Sequence, residues 1–196
     1  MRVVAGEAKG RPLKAVPGSG TRPTTDKVKE AIFSMIGPFF DGGTALDLFA
    51  GTGGLGIEAL SRGAQRAIFV DADAKSIETV RSNLRATGFE PRAEVYRNDA
   101  QRALKALAKR EAKLELVFLD PPYRMKNGAE LMLRMEELGL LRPGAVILLE
   151  YESSYAYPAE FGGFTEDRKA VYGETTVSIY TWRPRQGEQA QPAEED

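Results

Sequence analysis

From residue 44 onward the chain alternates short apolar runs with segments whose apolar positions recur at helical spacing. TALDLF (44–49) reads as a strand, and GLGIEALSRG (54–63) as a helix closing at Gly63. AIFVD (67–71) is a second strand, followed by KSIETVRSNL, in which Ile77, Val80 and Leu84 share one helical face. AEVYRN (93–98) is a third strand, and the helix after it carries Leu104 and Leu107. LELVFLD (114–120) is the fourth strand, ELMLRMEEL (130–138) a helix and AVILLEY (145–151) the fifth strand. Strands and helices alternating at this spacing predict βαβ units and a parallel sheet covered on both faces. After residue 151 the rhythm changes: EDRKAVY and TTVSIYTW flank Gly173-Glu174, which predicts an antiparallel hairpin at the sheet edge. Before residue 44, a short β-like arm rich in glycine and lysine precedes a helix from about Thr24 to Ile36, with Val28, Ile32 and Met35 facing inward. No internal repeat is visible. The chain therefore divides into an arm and helix (1–40), an α/β domain (41–183) and a tail (184–196) whose polar, acidic composition predicts disorder.

A length of 196 residues fits one domain with a small appendage and is enough to bury a core. No apolar run approaches the roughly 18 residues of a membrane span, and MRVVAGEAKG lacks the apolar stretch of a signal peptide, so a cytoplasmic location is expected. Two absences narrow the chemistry. The chain has no cysteine, which excludes a disulfide, a zinc-thiolate site and a thiol nucleophile. It has no histidine, which excludes Ser-His-Asp catalysis and removes the commonest general base. No metal site is expected. The net charge of −1 does not point to nucleic acid, but the distribution is uneven. Residues 1–30 carry seven basic residues against Glu7, Asp26 and Glu30, a local balance of +4. Lys9, Arg11, Lys14 and Arg22 are therefore candidate phosphate contacts, although a solvated basic surface would look the same.

In open α/β sheets ligands bind beyond the carboxyl ends of the strands. Four acids lie at or near those ends: Asp47 in the first strand, Asp71 closing the second, Asp99 after the third and Asp120 closing the fourth. Each has a structural alternative, and Asp99 in particular is placed to cap the next helix. The loop after the first strand, DLFAGTGGLG, matches G-x-G-x-x-G at Gly51, Gly53 and Gly56, and Asp71 lies where a dinucleotide enzyme would place its ribose acid. Such a loop serves any adenosine-bearing cofactor, and the motif alone leaves NAD and S-adenosylmethionine both open. Asp47 shifts the balance toward S-adenosylmethionine, because a carboxylate there welcomes a cationic amino-acid ligand and repels a pyrophosphate.

DLFAGTGGLG, FVDAD, NDA and LDPPY, in this order, resemble the class I methyltransferases that modify exocyclic amino groups. RVVAGEAKGRPLKAVPGSGTRPTTDKVKEAIFSMI is similar to the amino-terminal region of the RsmD family, which methylates N2 of a guanine in bacterial 16S ribosomal RNA, and YGETTVSIYTW resembles that family's closing hairpin. The resemblance covers roughly residues 1 to 183. It implies a Rossmann-like sheet of about seven strands, mostly parallel, with S-adenosyl-L-methionine as cofactor. It also implies 16S ribosomal RNA or the 30S subunit as partner, and nothing suggests more than a monomer. By the same resemblance Asp47, Phe49, Gly51 and Gly53 line the methionine end of the cofactor, and Asp71 holds its ribose. Asp99 and the backbone of Ala100 face its adenine, and Asp120, Pro121, Pro122 and Tyr123 hold the target base.

The DPPY segment suits this chemistry. An aromatic amine is a poor nucleophile because its lone pair is delocalised into the ring. Two acceptors on its protons, the Asp120 carboxylate and a backbone carbonyl stiffened by Pro121-Pro122, orient the nitrogen for in-line attack. Tyr123 offers a stacking face to a flipped base. Cytosine carbon-5 methylation requires a cysteine and is excluded. An N6-adenine methyltransferase, a protein-glutamine methyltransferase and a non-catalytic RNA-binding assembly factor on the same scaffold stand as alternatives. Guanine N2 over adenine N6 rests on the resemblance alone.

Overall fold

The computed structural model describes residues 1–20, 24–122 and 124–186. An opening helix, α1 (Asp26–Ile36), leads into β1 (Thr44–Asp47), α2 (Gly54–Ser61), β2 (Arg66–Asp71), α3 (Ala74–Thr87) and β3 (Ala93–Arg97). These are followed by α4 (Ala100–Lys109), β4 (Leu114–Leu119), α5 (Gly128–Glu137) and β5 (Leu141–Glu152). Strands β6 (Glu160–Phe161), β7 (Phe164–Tyr172) and β8 (Thr175–Trp182) complete one eight-stranded sheet in the order β3-β2-β1-β4-β5-β8-β7-β6. The first five strands run parallel, and β8 joins β5 antiparallel with β7 and β6 beyond it. Strand β1 lies between β2 and β4, so the winding direction reverses there and opens a crevice at the carboxyl ends of β1 and β4.

Alternation along each central strand divides the core into two layers. Ala45, Phe69, Leu116, Phe118 and Leu148 pack against Ile32, Phe33, Ile57 and Val80 from α1, α2 and α3. Leu46, Ile68, Val117, Leu119 and Leu149 pack against Leu104, Leu131 and Met135 from α4 and α5. Both faces are apolar, as parallel strands buried on two sides must be.

The structure differs from the sequence expectations in several places. Strand β1 stops at Asp47 rather than residue 49, and β4 stops at Leu119, leaving Asp120 just beyond the ladder. Strand β5 begins at Leu141 rather than 145, because Leu141 pairs with Leu114 and a register shift lets Pro143-Gly144 pass without breaking the strand. The sheet has eight strands rather than seven, the addition being the two-residue β6. Helix α1 starts at Asp26, with Thr25 accepting the Val28 N–H as its cap. Its buried residues are Lys29, Ile32 and Phe33, while Val28 and Met35 are only partly buried.

The last difference has a specific cause. Lys29 Nζ lies 3.4 Å from Glu58 Oε2 and donates to the Arg2 carbonyl at 2.6 Å. Glu58 also receives Arg62 Nε at 2.9 Å and the backbone N–H groups of Val4 and Ala5 at 3.0 and 3.1 Å. Arg62 reaches Glu30 at 3.1 Å. This buried ionic knot joins the arm, α1 and α2. The arm has one isolated bridge, Arg2 with Pro12, rather than strands. Val3, Ala8, Leu13 and Val16 are buried along it. Asn83 on α3 holds both the N–H and the carbonyl of Lys14, and Ser61 Oγ accepts from Ala8 N–H.

Candidate active site at the carboxyl ends of the strands

Asp47 closes β1 with only 3% of its surface exposed, and its Oδ2 accepts the Gly56 N–H at 3.0 Å. Burial pushes its carboxyl up to about 7, with the charge of Asp71 adding to the effect. In register, Asp47 lies beside Phe118 on β4, and Asp120 follows two residues later on the same face. Burial pushes Asp120 well above the ordinary carboxylate range, and the nearby charges of Glu150 and Asp47 push it further. Glu150 lies on β5, one step past the Leu119–Leu149 pair, and burial raises it as well. Three acids from three adjacent strands thus converge on the face covered by α1, α2 and α3. Among the described residues no ion pair reaches any of them.

The glycine loop closes over the same crevice. Gly51 and Gly53 have φ of 56° and 79°, the left-handed region that glycine adopts without strain. A Cβ at Gly51 would enter open space, so that face of the loop is accessible to a ligand. Gly51 N–H donates to Asp71 Oδ2 at 2.9 Å, and Asp73 N–H donates to Asp71 Oδ1 at 2.9 Å. Asp71 therefore clasps the loops after β1 and β2 together. Gly56 has a different role: a Cβ there would sit 2.4 Å from the Phe69 ring, so its absence lets α2 approach β2.

The remaining predicted residues are placed as follows. Phe49 is half-buried against the layer formed with α4 and α5. Asp99 accepts the Arg102 N–H at 2.9 Å and caps α4, the structural alternative its sequence position allowed; its carboxylate is exposed and pairs with Arg102 Nε at 3.3 Å. Ala100 is the first residue of that helix. Pro121 is buried and Pro122 exposed. The Pro122 carbonyl accepts the Met125 N–H at 2.8 Å, so among the described residues the carbonyl left open by this pair is that of Pro121. Tyr123 and Arg22 lie outside the described residues, as do residues 187–196 of the tail. Lys9, Arg11 and Lys14 are exposed on the arm. Glu150 was missed by the sequence reading, although the signal was present: AVILLEY carries an acid near the end of the fifth strand, as the other four strands do.

The amino-terminal arm and the α/β domain are matched together by one family model, described as "Conserved hypothetical protein 95", over residues 1–181. The Bacillus subtilis protein named "Putative rRNA methyltransferase YlbH" is 54% identical over 183 residues, covering 93% of this chain and 100% of that one. The Escherichia coli protein named "Ribosomal RNA small subunit methyltransferase D" is 34% identical over 188 residues, covering 96% and 92%. The chain belongs to the RsmD family. The solved structure of the "Putative methyltransferase yhhF from Escherichia coli" superposes with a TM-score of 0.80 at 31% identity, covering 94% of this chain and 99% of that one. The class I methyltransferase fold expected from the RsmD resemblance is therefore the fold observed. Among the described residues no helix is long and apolar enough to cross a membrane, and no group of His, Cys, Asp or Glu is arranged to hold a metal ion.

Proposed function

We propose that this chain transfers a methyl group from S-adenosyl-L-methionine to the exocyclic N2 of one guanine in 16S ribosomal RNA, of the guanine-966 type. The observation that carries this reading is the convergence of buried Asp47 at the end of β1 and half-buried Asp120 just past the end of β4, without a cationic partner among the described residues, beside the rigid Pro121-Pro122 turn. A cationic ligand supplies the missing charge, and the donor set of Asp47, the Gly51–Gly53 loop and Asp71 fits its ammonium, methionine backbone and ribose hydroxyls. Phe49, Asp99 and Ala100 complete that cofactor site in this proposal. When bound, the cofactor supplies an electrophilic methyl group on a sulfonium. Asp120 and the Pro121 carbonyl accept the two protons of the target amine and hold its lone pair in line with that methyl. On methyl transfer from the bound cofactor the amine proton would become acidic. The Asp120 carboxylate, made more basic by burial, takes it up. Tyr123 stacks on the extruded base. Residues 1–40 contact the RNA through Lys9, Arg11, Lys14 and Arg22. The protein works as a cytoplasmic monomer.

The test supplies methyl-labelled cofactor with unmodified 30S subunits, naked 16S RNA, DNA and mixed protein, followed by digestion of any labelled product. Label in N2-methylguanosine is expected. Label in N6-methyladenine or glutamine would overturn the substrate, and tight cofactor binding without label would leave a non-catalytic RNA-binding factor.

Two further outcomes are expected. Cofactor affinity rises with pH: with Asp47 titrating near 7, only about a tenth of the protein carries the charge at pH 6, against most of it at pH 8. The dissociation constant falls about tenfold between those values and binding releases protons, which calorimetry in buffers of different ionisation heat detects. A flat affinity with no proton release would argue against Asp47 as the cation's partner. In the arm, Lys9→Ala with Arg11→Ala weakens RNA binding and lowers the slope of log K against log salt by about 1.5, with cofactor affinity unchanged. An unchanged slope would remove the arm from the interface.

A further inference from the structure

Glu150 is the one member of the acid cluster without an assigned role, and its surroundings do not explain it. It is flanked on β5 by Leu148, Leu149 and Tyr151, all buried. Its Oε2 is shielded from solvent and accepts no hydrogen bond, and among the described residues the carboxylate has no ion pair. A carboxylate oxygen shielded from water and left without a donor destabilises a fold, and a leucine or glutamine would serve packing better. Such a group is retained for a ligand. Glu150 borders a shallow, open cleft lined also by Pro121, Pro122, Lys126, Tyr151, Tyr155 and Tyr157, the surface against which the target base would lie. It is also the group whose charge bears most strongly on Asp120.

We propose that Glu150 fits this site to guanine: its carboxylate accepts the guanine N1–H while Asp120 accepts a proton of the adjacent N2 amine. This rests on the guanine-N2 reaction proposed above and names what selects its substrate. The Watson–Crick edge of guanine presents N1–H and N2–H2 side by side as donors, which two neighbouring carboxylates satisfy together. Adenine presents one amino donor beside a bare N1 acceptor, which would face an anion. Without its N1 partner the Glu150 carboxylate is left buried and unsatisfied, so a base lacking that proton is rejected. Glu150 touches the base but neither the methyl group nor the sulfur.

The test compares reconstituted 30S subunits carrying guanosine or 2-aminopurine riboside at the position that the protein labels. The second base keeps the 2-amino group and has an unprotonated N1. The unmodified protein is expected to prefer guanosine in kcat/KM by roughly ten- to a hundredfold. Glu150→Gln, whose amide can donate to N1, narrows or reverses that preference while cofactor affinity and thermal stability are retained. Glu150→Asp keeps the preference at a lower rate. A purely structural role for Glu150 would slow both substrates equally in Glu150→Gln. An unmodified protein that accepts both bases alike, or a Glu150→Gln variant with the preference intact, would overturn the assignment of Glu150 and leave the proposed reaction standing. Absence of N2-methylguanosine from the unmodified protein's products would overturn the reaction, and this inference with it.

Discussion

Asp120→Ala is expected to lower kcat for methyl transfer by about a thousandfold while cofactor binding persists. The amine must lose conjugation with its ring before it can attack, and in the proposed site Asp120 and the Pro121 carbonyl direct that change. Removing one leaves the nitrogen free to rotate out of line, where a displacement of about 1 Å costs on the order of a hundredfold. The lost charge removes a further stabilisation of the nitrogen as it turns cationic, comparable to losing one preorganised hydrogen-bond partner. Asp120→Asn keeps one carbonyl acceptor and falls between, roughly ten- to a hundredfold down. Single-turnover rates with saturating cofactor separate this effect from binding. A variant within tenfold of the parent would mean that the amine is held by other groups.

Glu58→Ala is expected to lower the unfolding free energy by about 3–5 kcal/mol, the range for removing one partner of a buried ion pair. Glu58 is fully buried, as is Lys29, and Arg62 is nearly so. The alanine removes the buried counter-charge of both cations, leaving Lys29 with the Arg2 carbonyl and Arg62 with Glu30 and the Pro38 carbonyl, and leaves the Val4 and Ala5 N–H groups without their acceptor. For a chain of this length that corresponds to a Tm about 10 °C lower. Because the same carboxylate staples the arm to α2, residues 1–16 should become sensitive to protease before the domain unfolds. A Tm within about 3 °C of the parent would show that the knot contributes organisation without net stability.

The two expectations concern groups of very different visibility. Asp120 was legible because proline has local consequences: Pro121-Pro122 must end a strand, and an acid before them must be presented at its end. Gly51 and Gly53 were legible for a similar reason, since a left-handed turn selects glycine wherever it occurs. The parallel strands followed from apolar runs flanked by helical periods. Glu58, by contrast, sits in GLGIEALSRG, where a glutamate on a helix reads as a solvated residue, and Lys29 in DKVKEAIF reads likewise. Their partners are 29 residues apart in sequence, and each is acceptable in the core only because the other is there. On α1 the expected Val28, Ile32 and Met35 do pack against the core, and for the same reason Lys29 was not expected beside them.

Strand ends also escaped local reading. Leu48 and Phe49 continue the apolar run, yet β1 stops at Asp47, and beyond it the chain keeps the Leu48 N–H to Phe118 carbonyl and Ala50 N–H to Val70 carbonyl bonds to its neighbours as it turns into the glycine loop. The chain's own pattern determined the βαβ order, the closing hairpin, the glycine loop and the rigid acid-proline turn, because each depends on the conformational limits of residues adjacent in sequence. The tertiary structure alone decided that Asp47, Asp120 and Glu150 share one crevice and that a charged knot joins the arm to the domain. Those outcomes depend on sheet order and register, which bring together residues separated by up to a hundred positions and determine which charges lose their water.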